Sequence, residues 1–499
     1  MGKVKRAKQW CFFMLRVMES RQHGIAPFLL GVPCFLLIEE MGEGVCMKLS
    51  CVIRKQQYQF GSIREVLAKA SEEKSGDQMS KLSANSALER MAAKVVLSEM
   101  MLSDIYENPV IPYEKDEVTR VIYEDINLSV YNEIKGWTIG ELREYILSFS
   151  SGMPELTRIS RGLTSEMISA VAKLMSSIDL VLASQKMRHQ AYCNTLIGEP
   201  GRLAFRCQPN HPIDDPEGIM ASIKEGLSYG SGDAVIGINP NNDSVESVTK
   251  LLKMTHDFMQ HWQIPTQNCV LAHISTQVQA LRGGAPISLL FQSLAGSQKA
   301  NDAFGVNKEI LDEAMELMLR YGTASGPNVM YFETGQGSEV SLDSHEGVDM
   351  QTLESRTYGF CRHWKPFMVN NVSGFIGPET LYDGRQMIRA DLEDLFMGKL
   401  HGLPMGIAPT YTNHMYADQN DQEIAGMLTA LGGANFYMGV PGGDDVMLSY
   451  QDTSYHDDAS LRELLGFRPL REFEKWLEKM EIMENGRLTE RAGDLSIFD

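Results

Sequence analysis

The sequence predicts an α/β protein built on a closed (β/α)8 TIM barrel, preceded by a mostly helical N-terminal region. Two observations carry that prediction. Beyond Gly201, eight short apolar, β-branched or aromatic runs recur, separated by segments of helical period, which is the pattern of a parallel sheet clothed in helices. Eight such strands favour closure over an open doubly wound sheet, and no strand is followed by a Gly-rich dinucleotide turn, since Gly230-Ser231-Gly232 precedes one. The 499 residues, 43% hydrophobic and 22% charged, suffice to bury a large core.

Taken in order, residues 1–46 form a segment apart, with scattered Lys and Arg, three cysteines and no apolar period. Lys3 to Leu15 imitates a secretory start, but Arg16 and Glu19 interrupt the apolar region and no small-residue cleavage site follows. Gly42-Glu43-Gly44 requires a purine-rich codon run just upstream of the Met47 codon, where a bacterial ribosome-binding site would lie. Residues 1–46 are therefore expected to be a non-native or disordered extension, with natural translation starting at Met47.

Residues 47–200 read as a mostly helical accessory region. Leu49 to Phe60 alternates as a hairpin, and helical runs cover Ser62 to Ala70, Ala87 to Met101 and Thr164 to Ser184. Residues 201–499 carry the barrel and C-terminal helices. Its expected strands are Leu203–Cys207, Ala234–Ile238, Cys269–His273, Ile287–Phe291, Asn328–Phe332, Phe367–Asn371, Met405–Thr410 and Asn435–Val440. After the second, Asp243 is the expected cap, and Val245, Val248, Leu251, Leu252, Met259 and Trp262 mark one helical face. Comparable faces run over Lys308–Tyr321, Asp383–Leu400 and Asp421–Leu431.

Charge and cysteine usage restrict the function. Lys+Arg 46 against Asp+Glu 65 gives a net charge of -19, which argues against nucleic acid as a partner. Cys11, Cys34, Cys46, Cys51, Cys193, Cys207, Cys269 and Cys361 form neither a CxxC pair nor a disulfide framework, and point to a reducing, cytoplasmic location. The longest apolar stretch, Ala26 to Ile38, is broken by Pro27 and Pro33 and falls short of the ~20 residues that span a bilayer, so no membrane partner is expected.

A barrel of this kind works at the carboxyl ends of its strands. There the sequence places Arg206, Gln208 and Asn210; Asn239; His273 and Thr276; Gln292 and Ser293; Glu333 and Gln336; Asn370, Asn371 and Phe375; Thr412, Asn413 and His414; Asp444 and Asp445. The set is rich in amides, which neither titrate nor attack at neutral pH, and poor in acid/base pairs. Such a site suits a small molecule whose difficult chemistry is carried by a cofactor. HExxH, GxSxG and P-loop motifs are absent, and Asp343-Ser344-His345-Glu346-Gly347 reads as an acidic loop rather than a metal ligand.

FRCQPN (Phe205–Asn210), GDAVIGINP (Gly232–Pro240), YFETGQGS (Tyr331–Ser338), GFIGPE (Gly374–Glu379), YTNH (Tyr411–His414) and NGRLTERAGD (Asn485–Asp494) form a collinear series that resembles the large subunit of ethanolamine ammonia-lyase. The resemblance implies an adenosylcobalamin-dependent radical lyase that converts ethanolamine to acetaldehyde and ammonia. It also implies a separate small subunit, a hexameric core built as a trimer of dimers with six small subunits, and cytoplasmic or microcompartment localisation. In the family pattern, positions matching Arg206 and Asn239 hold the substrate hydroxyl, and those matching Gln208 and Glu333 the amino group; these four form the expected catalytic set. Cys207, Phe375 and Ala408 complete the substrate pocket, and Pro240, Gln292, Ser293, Ser341, Val372 and Met447 match cofactor contacts. No protein metal ligand is expected. Two positions depart from the pattern: Ala408 replaces an aspartate that helps bind the amine, and Ala303 a glutamate near the adenosyl group. They motivate two alternatives, a catalytically silent amine-binding or scaffold relative and a lyase for another vicinal amino alcohol. A third reading, a metal-dependent hydrolase using His273, Glu333 or Asp444, rests on residue type alone.

Overall fold

The computed structural model describes residues 48–499, so the expected extension lies outside the described residues. All eight expected strands form: β1 (Ala204–Cys207), β2 (Val235–Ile238), β3 (Asn268–Val270), β4 (Leu290–Ser293), β5 (Met330–Thr334), β6 (Met368–Ser373), β7 (Met405–Pro409) and β8 (Phe436–Gly439). They join one parallel sheet in the order β3-β2-β1-β8-β7-β6-β5-β4. Each is followed by a long helix: α1 (Pro216–Ser228), α2 (Val245–Trp262), α3 (Ile274–Arg282), α4 (Lys308–Tyr321), α5 (Met350–Cys361), α6 (Gly384–Leu400), α7 (Gln419–Leu431) and α8 (Tyr455–Leu465).

Closure between β3 and β4 uses side chains in place of a regular ladder. Leu289 N–H donates to the Asn268 carbonyl at 3.2 Å. The Asn268 side chain accepts from Ser288 N–H (3.1 Å) and donates to the Pro286 carbonyl (2.9 Å). On α3, Gln277 pairs with both main-chain groups of Phe291, accepting at 3.1 Å and donating at 2.8 Å. Two buried amides thus satisfy backbone groups that would otherwise be stranded. Asn268→Ala should lower stability by about 1–3 kcal/mol, the cost of leaving buried polar groups unpaired. Hydrogen exchange at Ser288 and Leu289 should accelerate with it, and unchanged exchange at both amides would refute a sealing role.

Several element boundaries differ from expectation, among them the third strand, which ends at Val270 and not at His273 because His273 caps α3. Ser244, and not Asp243, caps α2, accepting from Ser247 N–H; Asp243 instead accepts from His273 N–H at 3.0 Å. The run Thr164–Ser184 is two helices, Ser165–Lys173 and Ser177–Gln185, because Ser176 and Asp179 make a reciprocal capping box that starts a new helix. The fourth strand begins at Leu290 and not at Ile287, since Ser288 and Leu289 are engaged at the seam. The hairpin forms as expected, with Ser50–Ile53 antiparallel to Gln56–Gln59.

The N-terminal helices are fastened to α5 and α6 by buried ion pairs. Lys173 Nζ meets Asp349 Oδ1 at 2.6 Å and Lys74 Nζ meets Glu393 Oε2 at 2.7 Å, all four side chains being inaccessible to solvent. Arg356, on α5, reaches Asp116, Glu166, the Thr119 hydroxyl and the Gly296 carbonyl. Because α5 and α6 follow β5 and β6, these clamps set the position of the strands that carry Glu333 and Asn370.

Candidate active site

Arg206 occupies the centre of the barrel mouth. Its side chain is fully buried on β1, in register with Met438 on β8 and Val235 on β2. One guanidinium nitrogen donates to Glu333 Oε1 (2.7 Å) and the Tyr331 hydroxyl (2.8 Å), and the other to Asn239 Oδ1 (2.9 Å) and the Gly237 carbonyl (3.2 Å). Glycine is required at 237 by this close approach, since a Cβ there would stand 2.7 Å from Arg206 Nε. Burial works against the charge, but the Tyr331 hydroxyl and the Glu333 carboxylate more than offset it and hold the guanidinium above its ordinary value.

Glu333 has one oxygen committed and one open. Its Oε1 also accepts from the Tyr331 hydroxyl. Oε2 has no protein hydrogen bond among the described residues, and the side chain retains 17% exposure toward the mouth. Tyr331 lies two residues before Glu333 on β5, so the strand period puts both on one face.

Gln208 shows the same division. Its Nε2 donates to Asp445 Oδ2 (2.6 Å) and to the Tyr450 hydroxyl (3.0 Å), leaving Oε1 buried without a partner. Asn210 also donates to Asp445 Oδ2 at 2.6 Å, and its own oxygen accepts from Asn239 N–H at 2.9 Å. Asp445 completes its coordination with the N–H groups of Met447 and Leu448. Gln208, Asn210 and Asp445 line a cleft of about 50 Å³ beneath Pro441 and Val446. A cleft of about 520 Å³ between Asp116, Gln298 and Glu346 shares no residue with it.

Other expected residues are placed less directly. Asn370, in register with Glu333, donates to Met438 Sδ and keeps its oxygen unpaired. The Cys207 sulfur points at Tyr455 on α8 (3.3 Å), away from Arg206, and burial pushes its thiol up to about 12, so any role at the site falls to its main chain. Ala408 is buried with Val372 and Met438 and offers no polar side-chain atom. Phe375 stands exposed at the mouth, Pro240 is half-buried, and Ser341 is exposed and bonded to the Ser338 carbonyl. Gln292 accepts from Ile274 N–H and donates to the Ser293 carbonyl.

Asn371 turns to Asp391 on α6, and Gln336 to Asp394, behind the sheet. His273 caps α3 and bonds Ser275 and the Phe304 carbonyl, a structural use. Among the described residues, no three His, Cys, Asp or Glu side chains are grouped to hold a metal ion, so the hydrolase reading gains no support.

Three of the collinear motifs, FRCQPN, GDAVIGINP and YFETGQGS, thus supply the bonded set Arg206, Asn239 and Glu333, with Gln208 two residues beyond Arg206. Over residues 58–491 the sequence matches the family "Ethanolamine ammonia lyase large subunit (EutB)". The chain belongs to the ethanolamine ammonia-lyase large-subunit family. It is 52% identical over 452 residues to the ethanolamine ammonia-lyase large subunit of Salmonella typhimurium, which covers 91% of this chain and 100% of that protein. The Escherichia coli counterpart is likewise 52% identical over 452 residues, with the same coverage. Among the described residues, no helix is long and apolar enough to cross a membrane.

The members' defining name, a large subunit, implies a smaller companion chain. Sequence reasoning missed Tyr331, Met438 and Tyr450 at this site. Tyr331 was legible from its two-residue spacing to Glu333. Tyr450 was not, because it lies in a polar segment whose burial has no periodic signature.

Proposed function

We propose that the chain is the catalytic large subunit of an ethanolamine ammonia-lyase, converting ethanolamine to acetaldehyde and ammonia with adenosylcobalamin. Residues 201–499 form its catalytic barrel and 47–200 its accessory region. The observation that carries the reading is the pairing of a fixed donor set with open acceptors. Arg206 supplies a permanent positive donor, while Glu333 Oε2 and Gln208 Oε1 are acceptors with no protein partner. That arrangement suits a molecule with a hydroxyl at one end and an ammonium at the other.

Arg206 and Asn239 take the hydroxyl, and Gln208 and Glu333 take the amino group. Asp445 and Tyr450 occupy both donors of Gln208, which obliges its carbonyl oxygen to face the substrate. Glu333 is anchored through Oε1, so Oε2 can follow a nitrogen that moves from one carbon to its neighbour without the carboxylate losing its place.

The residues at the mouth fit a large flat cofactor. Leu342, Phe375, Val446 and Leu448 are exposed apolar side chains on segments following β5, β6 and β8, a surface that a macrocycle would cover. Pro240, Gln292, Ser293, Ser341, Val372 and Met447 would hold it, and Phe375 would wall it from the substrate. When bound, adenosylcobalamin supplies a carbon radical by homolysis of its cobalt–carbon bond. The protein then has to orient, exclude water and bind charge, which is what amides and a buried Arg–Glu pair do.

A small subunit completes the cofactor site, within a hexameric core of three dimers carrying six small subunits; cytoplasmic placement, including packaging in a bacterial microcompartment, accompanies this reading. The test is acetaldehyde formation from ethanolamine by the chain starting at Met47, co-expressed with its small subunit, with and without adenosylcobalamin in the dark. Cofactor-dependent acetaldehyde is expected. A folded complex that binds cobalamin and amine but makes no acetaldehyde would instead favour the silent, amine-binding relative.

A further inference from the structure

One buried carboxyl near the mouth, that of Asp452, bonds none of Arg206, Gln208, Asn239 and Glu333. Asp452 follows the strand Tyr450–Gln451, which pairs with Asp444–Asp445 and, through Gln451, with Tyr411 beyond β7. Its main-chain N–H donates to the Gly443 carbonyl, and the neighbouring Thr453 hydroxyl bonds the Met438 carbonyl on β8. This places it over the ends of β7 and β8, where Ala408 and Met438 leave the wall without a charged side chain. Asp452 is 1% exposed. Its Oδ1 accepts from Thr453 N–H at 2.8 Å, while Oδ2 is buried with no hydrogen-bond partner and no ion pair.

A carboxylate buried without a cation is expensive, so such a group either stays protonated or awaits a positive ligand. Burial raises the Asp452 carboxyl well above the ordinary carboxylate range; Asp445 and Glu333 add to this, opposed by Thr453 N–H and Arg206. Arg206, Glu333 and Asp445 of the substrate site are thus among the charges that act on it, together with Asp458 on α8. Arg206 bonds Glu333, Tyr331, Asn239 and Gly237, and makes neither a hydrogen bond nor an ion pair with Asp452 among the described residues. Tyr450, two residues away, already holds Gln208 in place.

We propose that Asp452 is a further substrate-binding carboxyl of this site, its Oδ2 accepting from the substrate ammonium alongside Gln208 Oε1 and Glu333 Oε2. An ammonium has three N–H donors, which Gln208 Oε1, Glu333 Oε2 and Asp452 Oδ2 would satisfy, each being without a protein hydrogen bond among the described residues. The assignment rests on the amino-alcohol reading above and deepens it. It makes Asp452, beside Glu333, a second carboxyl that selects a charged amine over a neutral diol.

The sign of the pH effect follows. In the free site burial favours the protonated carboxyl of Asp452, and an arriving ammonium favours the ionised form. Amine binding therefore releases a proton and tightens as pH rises through the free-site pKa. The other titratable groups acting on it are Asp445 and Tyr450 on its own hairpin, Asp458 on α8, Arg206 on β1 and Glu333 on β5, all of them kept in the variants.

The experiment uses the complex with its small subunit, comparing wild type with Asp452→Asn and Asp452→Ser. It reads the KM for 2-aminoethanol across pH, and the competitive Ki of ethylene glycol, which has the hydroxyl but no ammonium. Both variants should raise KM about tenfold or more, the effect of losing a charge-assisted hydrogen bond, and lose its pH dependence, with Ki for the glycol within about twofold of wild type. KM within twofold of wild type, or KM and Ki rising together, would overturn the assignment. Calorimetric titration of 2-aminoethanol into the same complexes reads the amine contact without turnover. If wild type makes no acetaldehyde, the lyase reading falls, while a tenfold affinity loss in Asp452→Asn still upholds the amine contact. If wild type turns over and neither KM nor affinity moves in the variants, the Asp452 assignment alone fails.

Discussion

Glu333→Gln should reduce turnover of ethanolamine at least tenfold, with adenosylcobalamin binding retained. The carboxylate holds two bonds through Oε1, from Arg206 and Tyr331, and presents Oε2 to the mouth. An amide of the same shape keeps the packing but removes the charge opposite both the buried guanidinium and the substrate ammonium. Hydrogen bonds to charged groups are worth about 1.5–3 kcal/mol, which corresponds to roughly 10- to 150-fold in rate if the bond strengthens as the nitrogen migrates. Steady-state kinetics, with cobalamin binding followed by its absorption spectrum, separates the effect from loss of cofactor. Unchanged turnover would remove Glu333 from the reaction.

Arg356→Leu should destabilise the protein by about 3–5 kcal/mol, the consequence of stripping the partner from buried charges. The guanidinium is wholly buried and bridges Asp116 and Glu166 of the N-terminal helices. Glu166 Oε2 is already without a partner, so nothing nearby can take over. A lowered midpoint in thermal or denaturant unfolding, together with earlier proteolysis within residues 47–200, is the expected result. Unfolding indistinguishable from wild type would show that Arg356 does not fasten this region. Replacing Glu166 by an apolar residue alongside Arg356 should recover part of the loss by removing one unpaired charge, Asp116 being kept because it also accepts from Thr119 N–H and Gln298 N–H.

Secondary structure was legible wherever a local rule acted alone. The strand runs and the faces of α4 and α6 follow from residue period, and Asp383 caps α6 as its position suggests. Local rules failed where two candidates competed. Asp243 and Ser244 are both good caps; the choice fell to Ser244 because Asp243 is drawn to the His273 main chain thirty residues on. Ser176 looked like one polar residue inside a long helix, and it became a helix start because Asp179 returns its hydrogen bond.

The identities of Arg206, Gln208, Asn239 and Glu333, and their places at strand ends, are determined by the sequence, since strand period and barrel polarity put them at one mouth. What each side chain does there is decided by tertiary structure. Gln208 could have offered its substrate either a donor or an acceptor; Asp445 and Tyr450, more than 230 residues away, take the donor and leave the acceptor. Glu333 could have used both oxygens on Arg206, and Tyr331 shares the one that is taken. The β3–β4 seam and the burial of Asp452 are likewise products of packing. Periodicity reports which face a residue occupies, whereas hydrogen-bond partners and lost solvent depend on groups that only the folded chain brings within 3 Å.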